Sequence, residues 1–104
     1  MLRRGEVRWY RSSQRDKKRP ILVLTRSSAL EFLTDVTVAP ITSTRRDTPT
    51  DVILTRDDGM PRECAVNLDQ VKTVPKGRIG AIITTLSAER MAAVRQALLF
   101  ALGF

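Results

Sequence analysis

The sequence predicts a mainly β, single-domain protein: a small β-barrel capped by one C-terminal helix. Three observations carry this. Short β-prone runs recur along most of the chain, each bounded by turn residues. The last stretch changes from strand spacing to helical spacing. No linker, repeat or low-complexity segment interrupts the 104 residues, so residues 1–104 read as one domain with one modest core.

Gly5 precedes Glu6-Val7-Arg8-Trp9-Tyr10, whose aromatic content and partial alternation predict the first strand. Arg11 to Lys18 is polar without an apolar anchor and reads as a loop. Pro20 to Thr25 is a continuous apolar run, the pattern of a buried strand, with the donor-less Pro20 at its start. Ser27 to Phe32 reads as one helical turn with a serine cap. Val36 to Ile41 is the third strand, running out into Thr42-Ser43-Thr44. Thr42 to Thr50 reads as a loop, and Asp51 to Thr55 as the fourth strand. Asp57-Asp58-Gly59-Met60-Pro61 is a strong turn signal. Cys64–Leu68, Val71–Val74 and Ile79–Ile83 complete the strands. A helix then runs from Ala88 to Leu102, with Ser87 as N-cap, Glu89 at the positive end of the dipole and Gly103 just past the end. Met91, Val94, Leu98 and Leu102, with Ala101 beside them, form its expected buried face.

The charge is uneven. Residues 1–19 carry eight basic and two acidic side chains, so +6 of the net +7 lies there. Such a concentration points to a polyanionic partner, nucleic acid above all. A single cysteine, Cys64, excludes an internal disulfide framework and fits a reducing cytoplasm, where it reads as a small buried apolar residue. The longest apolar stretch near the N-terminus, Ile21–Leu24, is too short for a signal peptide or a membrane span. A cytoplasmic protein without a membrane partner is therefore expected.

Absences narrow the chemistry. The chain has no histidine, which excludes the usual imidazole acid–base pair. Asp57 and Asp58 are adjacent in a turn, not a spaced ligand set, so no metal or other cofactor is expected. Cys64 has no imidazole partner for thiol catalysis. The groups that remain are guanidinium and hydroxyl at strand edges: Arg19 before Pro20, and Thr42-Ser43-Thr44 after Ile41.

Several strings, in order along nearly the whole chain, resemble the MazF/PemK family of toxin endoribonucleases from bacterial toxin–antitoxin pairs. They are Arg4-Gly5-Glu6 before an aromatic strand, Arg19-Pro20-Ile21-Leu22-Val23-Leu24, Val38-Ala39-Pro40-Ile41-Thr42-Ser43, Asp69-Gln70-Val71-Lys72-Thr73, Ile79-Gly80, Leu86-Ser87 and the closing Ala101-Leu102-Gly103. The resemblance implies an SH3-like barrel of the CcdB/PemK type with a C-terminal helix, acting as a homodimer. It implies metal-free, sequence-specific cleavage of single-stranded RNA, leaving a 2′,3′-cyclic phosphate and a 5′-hydroxyl. It also implies inhibition by a cognate antitoxin whose disordered tail covers the RNA surface; an acidic tail would suit the positive field.

Cleavage of this kind uses the RNA's own 2′-hydroxyl, so the protein must align it and stabilise charge on the phosphorane. By resemblance Arg19 is catalytic, and its guanidinium can grip two phosphate oxygens. Thr42 maps onto the family's catalytic threonine, as a hydrogen-bond partner of the phosphate. Asp69 matches an aspartate that some members use together with an arginine two residues earlier. Here that earlier residue is Asn67, and Asp69 is expected to accept a proton or orient Arg19. Ser43, Asn67, Gln70 and Lys72 are expected RNA contacts. The 11–18 loop is short and basic where many relatives carry a longer one, so Arg15, Lys17 and Lys18 are expected to touch RNA and alter which sequence is read. Trp9 and Tyr10 are both candidates to stack on unpaired bases, but strand neighbours face opposite ways, so at least one of them is expected to pack in the barrel core. Two other functions stay open: a non-catalytic nucleic-acid-binding barrel, and a gyrase-directed toxin of the same fold.

Overall fold

The computed structural model describes residues 1–104. Its strands are β1 (Glu6–Tyr10), β2 (Arg19–Val23), β3 (Asp35–Thr42), β4 (Asp51–Leu54), β5 (Cys64–Asn67), β6 (Lys72–Pro75) and β7 (Ile79–Thr85). Its helices are the short α1 (Ser27–Leu30) and the long α2 (Ala88–Leu102). All strand pairs are antiparallel, in the order β4-β5-β3-β2-β1-β7, with β6 beside the first half of β3. The sheet curls into a half-barrel, as the sequence predicts.

Strand ends differ from the sequence expectation where side chains intervene. β2 stops at Val23 because Leu24 N and Thr25 N both donate to Thr37 O, at 2.9 and 3.3 Å, bending the chain off the ladder. β4 stops at Leu54 because the Thr55 hydroxyl accepts from Asp57 N and caps a 3-10 turn over Arg56–Asp58. β5 stops at Asn67 because its side-chain oxygen accepts from Asp69 N and starts a second turn, Leu68–Gln70. The expected serine cap of α1 is not there. Arg26 is the N-cap residue and makes no side-chain cap bond, while Ser27 Oγ accepts from Arg4 N at 2.9 Å.

Burial follows from the two-residue period of a strand. In β2, Leu22 faces one way, and Ile21 and Val23 face the other; all three are buried, as a continuous apolar run requires. The larger core lies inside the curl around Val7, Leu22, Leu54, Val66 and Leu68, closed by Val94 and Ala97 of α2. A smaller core on the opposite face gathers Tyr10, Ile21, Val23, Val36, Val38 and Val74 under Leu30 of α1.

Helix α2 starts and ends as its sequence predicts. Ser87 Oγ accepts from Arg90 N at 3.1 Å, and Gly103 takes φ 80, with its N–H directed back to the last turn. Its buried face needs one correction. Val94 and Ala97 are buried and Met91, Leu98 and Ala101 pack beside them, but Leu102 is 56% exposed, with Phe100 and Phe104 exposed around it. By that last turn the helix has run past the edge of the sheet core.

Side chains rather than a ladder close the half-barrel. Thr84 Oγ1 of β7 donates to Asp58 O at 2.9 Å, and Arg90 Nε of α2 donates to Asp58 Oδ1 at 2.9 Å. Burial pushes the Asp58 carboxyl up, but the bonds from Arg90 and Thr55 outweigh it and hold the group below its ordinary value. Gly59 sits in the same seam at φ +90, where a Cβ would collide with the Thr84 side chain.

Candidate functional site

The β2–β3 register builds the site. Val23 pairs with Val38, Leu22 with Ala39 and Ile21 with Pro40. Carried two residues further, that register sets Arg19 opposite Thr42. On their outer sides Arg19 pairs with Tyr10 of β1 and Thr42 with Ala65 of β5. A row Tyr10–Arg19–Thr42–Ala65 therefore crosses four strands. Alternation puts Arg19 on the face of Ile21 and Val23, the small-core side, at the end where that core runs out.

There the surface opens into a groove of ≈ 740 Å³ that includes Lys18, Arg19, Thr42, Ser43 and Lys72 in its lining, with Trp9 and Ile83 as apolar wall. Arg19 and Thr42 are both exposed. Thr42 Oγ1 donates to Thr44 O at 3.0 Å, which turns the chain and leaves its lone pairs free to accept. Lys72 Nζ stands 5.0 Å from the Tyr10 ring centroid, and Lys18 Nζ 5.9 Å from that of Trp9. Tyr10 is the buried aromatic and Trp9 the half-exposed one, the division that alternation predicts.

The groove carries a fourth cation that sequence reasoning missed, Arg62. It lies 43 positions after Arg19 in a turn, and only the β3–β5 pairing brings it to the site. Lys18, Arg19, Arg62 and Lys72 share this lining with no carboxylate. The N-terminal concentration of charge does not act as one field. Arg8 is bound to Glu6 at 2.9 Å and to Gly80 O at 2.9 Å, and Arg4 Nε donates to Leu24 O at the far end of the strands. Of the eight cations in residues 1–19, only Lys18 and Arg19 line the groove.

Other expected contacts stand apart. Arg15 and Lys17 are exposed on the 11–18 loop, which is folded on itself by a Ser12–Asp16 hydrogen bond, and neither lines the groove. Gln70 is exposed in the turn after β5 and is also outside it. Asp69 does not orient Arg19. Its carboxylate accepts from Thr50 Oγ1 at 2.6 Å and pairs with Arg46 at 3.6 Å. Asn67 Oδ1 accepts from Arg46 Nη2 at 2.9 Å, and the same guanidinium meets Asp51 at 2.7 Å. The Asp51 hydrogen bond is the main cause that holds Arg46 above its ordinary value. This network pins the loop that follows Thr42.

Cys64 lines the groove floor but is buried, and burial pushes its thiol up, away from the reactive thiolate. Nowhere do three His, Cys, Asp or Glu side chains converge as a metal-ligand set. No helix is long and apolar enough to cross a membrane.

Residues 3–102 match the family described as PemK-like, MazF-like toxin of type II toxin–antitoxin system. The chain is 38% identical over 86 residues to Endoribonuclease MazF3 of Mycobacterium tuberculosis, covering 83% of this chain and 84% of that protein. Among solved structures it resembles Mycobacterium tuberculosis toxin MazF-mt6 at TM-score 0.86 and 34% identity, covering 95% of this chain and 97% of that one. It also resembles an endoribonuclease in complex with its cognate antitoxin from a mycobacterial species, at TM-score 0.88 and 26% identity, covering 100% of this chain and 97% of that one.

Proposed function

The chain belongs to the PemK-like, MazF-like toxin family and is an endoribonuclease of it, and on that premise we propose how and on what it acts. It cuts single-stranded RNA (messenger RNA, with transfer and ribosomal RNA as further targets) at a short sequence, without a metal. The observation that carries this is the placing of Arg19 and Thr42, at neighbouring ends of β2 and β3, in one groove with four cations and no carboxylate.

The scissile phosphate lies over the Arg19–Thr42 row. The 2′-oxygen of the preceding ribose attacks phosphorus, the P–O5′ bond breaks, and the proton of the 2′-hydroxyl is balanced by the one taken up at O5′. The products are a 2′,3′-cyclic phosphate and a 5′-hydroxyl. Arg19 stabilises the extra negative charge on the phosphorane through two parallel N–H bonds. A guanidinium offers donors and no acceptor, so charge stabilisation is its role. The Thr42 O–H, turned from Thr44 O to a phosphate oxygen, orients the phosphate. Lys18 and Lys72 draw the backbone in, and Trp9 offers a face for an unpaired base.

The chain acts as a homodimer, neutralised by a cognate antitoxin. Exposed Leu33, Phe100, Leu102 and Phe104 support self-association, since an isolated monomer has no use for such a surface. The uncompensated cations support an acidic, disordered antitoxin tail lying in the same groove.

Purified protein and a defined single-stranded RNA, with and without EDTA, test the reading. Fragments ending in a cyclic phosphate, formed equally in both, are expected. Loss of cutting in EDTA would overturn the metal-free mechanism. Retarded but uncut RNA would favour the non-catalytic barrel.

A further inference from the structure

Arg62 is absent from every motif that the sequence analysis singled out, yet the residues on either side of it are tied down. Arg56 Nε donates to the carbonyl of Pro61 at 3.3 Å. On the other side, Glu63 is held by Arg45 at 3.0 Å, and Cys64 enters the β5 ladder opposite Leu54. The guanidinium itself is exposed, lines the groove and has neither a hydrogen bond nor an ion pair within the chain. The carboxylates near it are already taken: Glu63 by Arg45 and Asp58 by Arg90. Its charge is therefore not bound within the chain, and it is felt at the Cys64 thiol on the groove floor, against the upward push of burial and of Asp58 and Glu63.

Sheet order fixes where that charge stands. Arg19 is on β2, Thr42 on the adjacent β3, and Arg62 precedes β5 on the other side of β3. The two unpartnered guanidinium groups thus lie on either side of β3, and the antiparallel β3–β5 register, continued past Thr42 and Ala65, runs Ser43 and Thr44 toward the Arg62 end of β5. A single phosphate over the Arg19–Thr42 row leaves Arg62 without an anion. An extended strand brings a second phosphate one nucleotide away.

We propose that Arg62, with the hydroxyl of Ser43 at its side, forms a second phosphate subsite that holds the phosphodiester next to the scissile one. This rests on the ribonuclease reading of the groove. Arg62 is then a positioning residue: it grips the strand in ground state and transition state alike and takes no part in bond-making. Uniform binding of this kind acts on KM and leaves kcat in place.

The test compares wild type, Arg62→Ala, Arg62→Lys and Arg95→Ala on a single-stranded RNA of about ten nucleotides. Arg95 is an exposed cation of α2 outside the groove and controls for lost net charge. For Arg62→Ala, KM rises about tenfold with kcat within twofold. The slope of log affinity against log salt falls by about 0.7, the value for one phosphate contact on a single strand. Arg62→Lys keeps the salt slope, because the point charge remains, while losing part of the affinity with the two-pronged grip. Arg95→Ala matches wild type. On a dinucleoside monophosphate, which has no second phosphate, Arg62→Ala and wild type cut equally. A fall in kcat at unchanged KM, an unchanged salt slope, or an equal defect on the dinucleotide would each overturn the subsite. Wild-type protein that fails to cut RNA overturns the ribonuclease reading and the subsite with it. Wild-type cutting with unaltered Arg62→Ala kinetics overturns the subsite alone.

Discussion

The same three strands, β1, β2 and β3, end in two different grooves. At one end lies the ≈ 740 Å³ groove with Lys18, Arg19, Thr42 and Arg62. At the other lies one of ≈ 490 Å³, floored by Leu24, Ala29, Val71, Leu98 and Leu102 with Leu33 beside them. Both hold arginines and neither holds a carboxylate, but their surroundings differ. In the apolar groove Arg4 is tied to Leu24 O at 2.8 Å and Arg26 stands among leucines, while the other groove gathers Lys18, Arg19, Arg62 and Lys72 around the hydroxyls of Thr42 and Ser43. The ladder imposes no difference between its two ends; the side chains just beyond it do. Four cations gathered around exposed hydroxyls mark chemistry, and a mostly apolar floor marks contact.

The largest break in that contrast is Arg19→Ala. Cleavage should fall by about 10²–10³, the cost of losing one preorganised charge-stabilising donor, with the thermal midpoint unchanged because the side chain is exposed. A fluorogenic RNA assay beside a melting curve checks both. Next in size is Leu102→Glu at the opposite end. Burying a leucine contributes about 1.5–3 kcal/mol, so self-association should weaken at least tenfold in sedimentation velocity. An unaltered oligomeric state would remove the apolar groove from the dimer contact. Thr42→Val keeps the side-chain shape and loses the hydroxyl. A fall of about tenfold in kcat is expected from one hydrogen bond, with Thr42→Ser retaining most of the rate.

The smallest effect leaves both ends alone. Asp58→Asn should cost about 1 kcal/mol in chemical denaturation, since the Arg90 bond is half open to solvent. Its pH dependence has a definite sign. The folded carboxyl titrates below its unfolded value, so its contribution is present at neutral pH and is lost as pH falls through the acid range. The gap between wild type and variant should therefore close on acidification. A gap that widens would contradict the Arg90 pairing.

Strand and helix positions were legible because period and turn chemistry are local. The runs at Ile21–Leu24 and Val36–Ile41 and the Ser87 and Gly103 caps state their structure within a few residues. Arg19 and Thr42 were legible as single residues, but not as neighbours, because their pairing depends on a register set elsewhere in the ladder. Arg62 was illegible for the same reason: its place in the groove comes from the β3–β5 pairing. Asp69 misled as a partner for Arg19, because nothing in its own string shows Thr50 and Arg46 converging on it from a distant loop. The N-terminal charge count misled too, since composition cannot show that Arg8 is already bound by Glu6 and the Gly80 carbonyl.

The curl of the sheet leaves one edge of β7 without a partner strand. The seam at Thr84 covers one end of it and Arg8 takes the Gly80 carbonyl, while Ala81 and Ile82 stand exposed between them. Open backbone donors and acceptors beside an exposed isoleucine invite edge-to-edge pairing between molecules. Two devices oppose this: the register breaks between β1 and β7 around Arg8, which twist the edge, and the net charge of +7, which keeps copies apart. Screening weakens only the second. Concentrated solutions of this protein should therefore turn cloudy on adding salt well before any loss of folded structure, and colloidal behaviour, rather than unfolding, sets the limit for handling it.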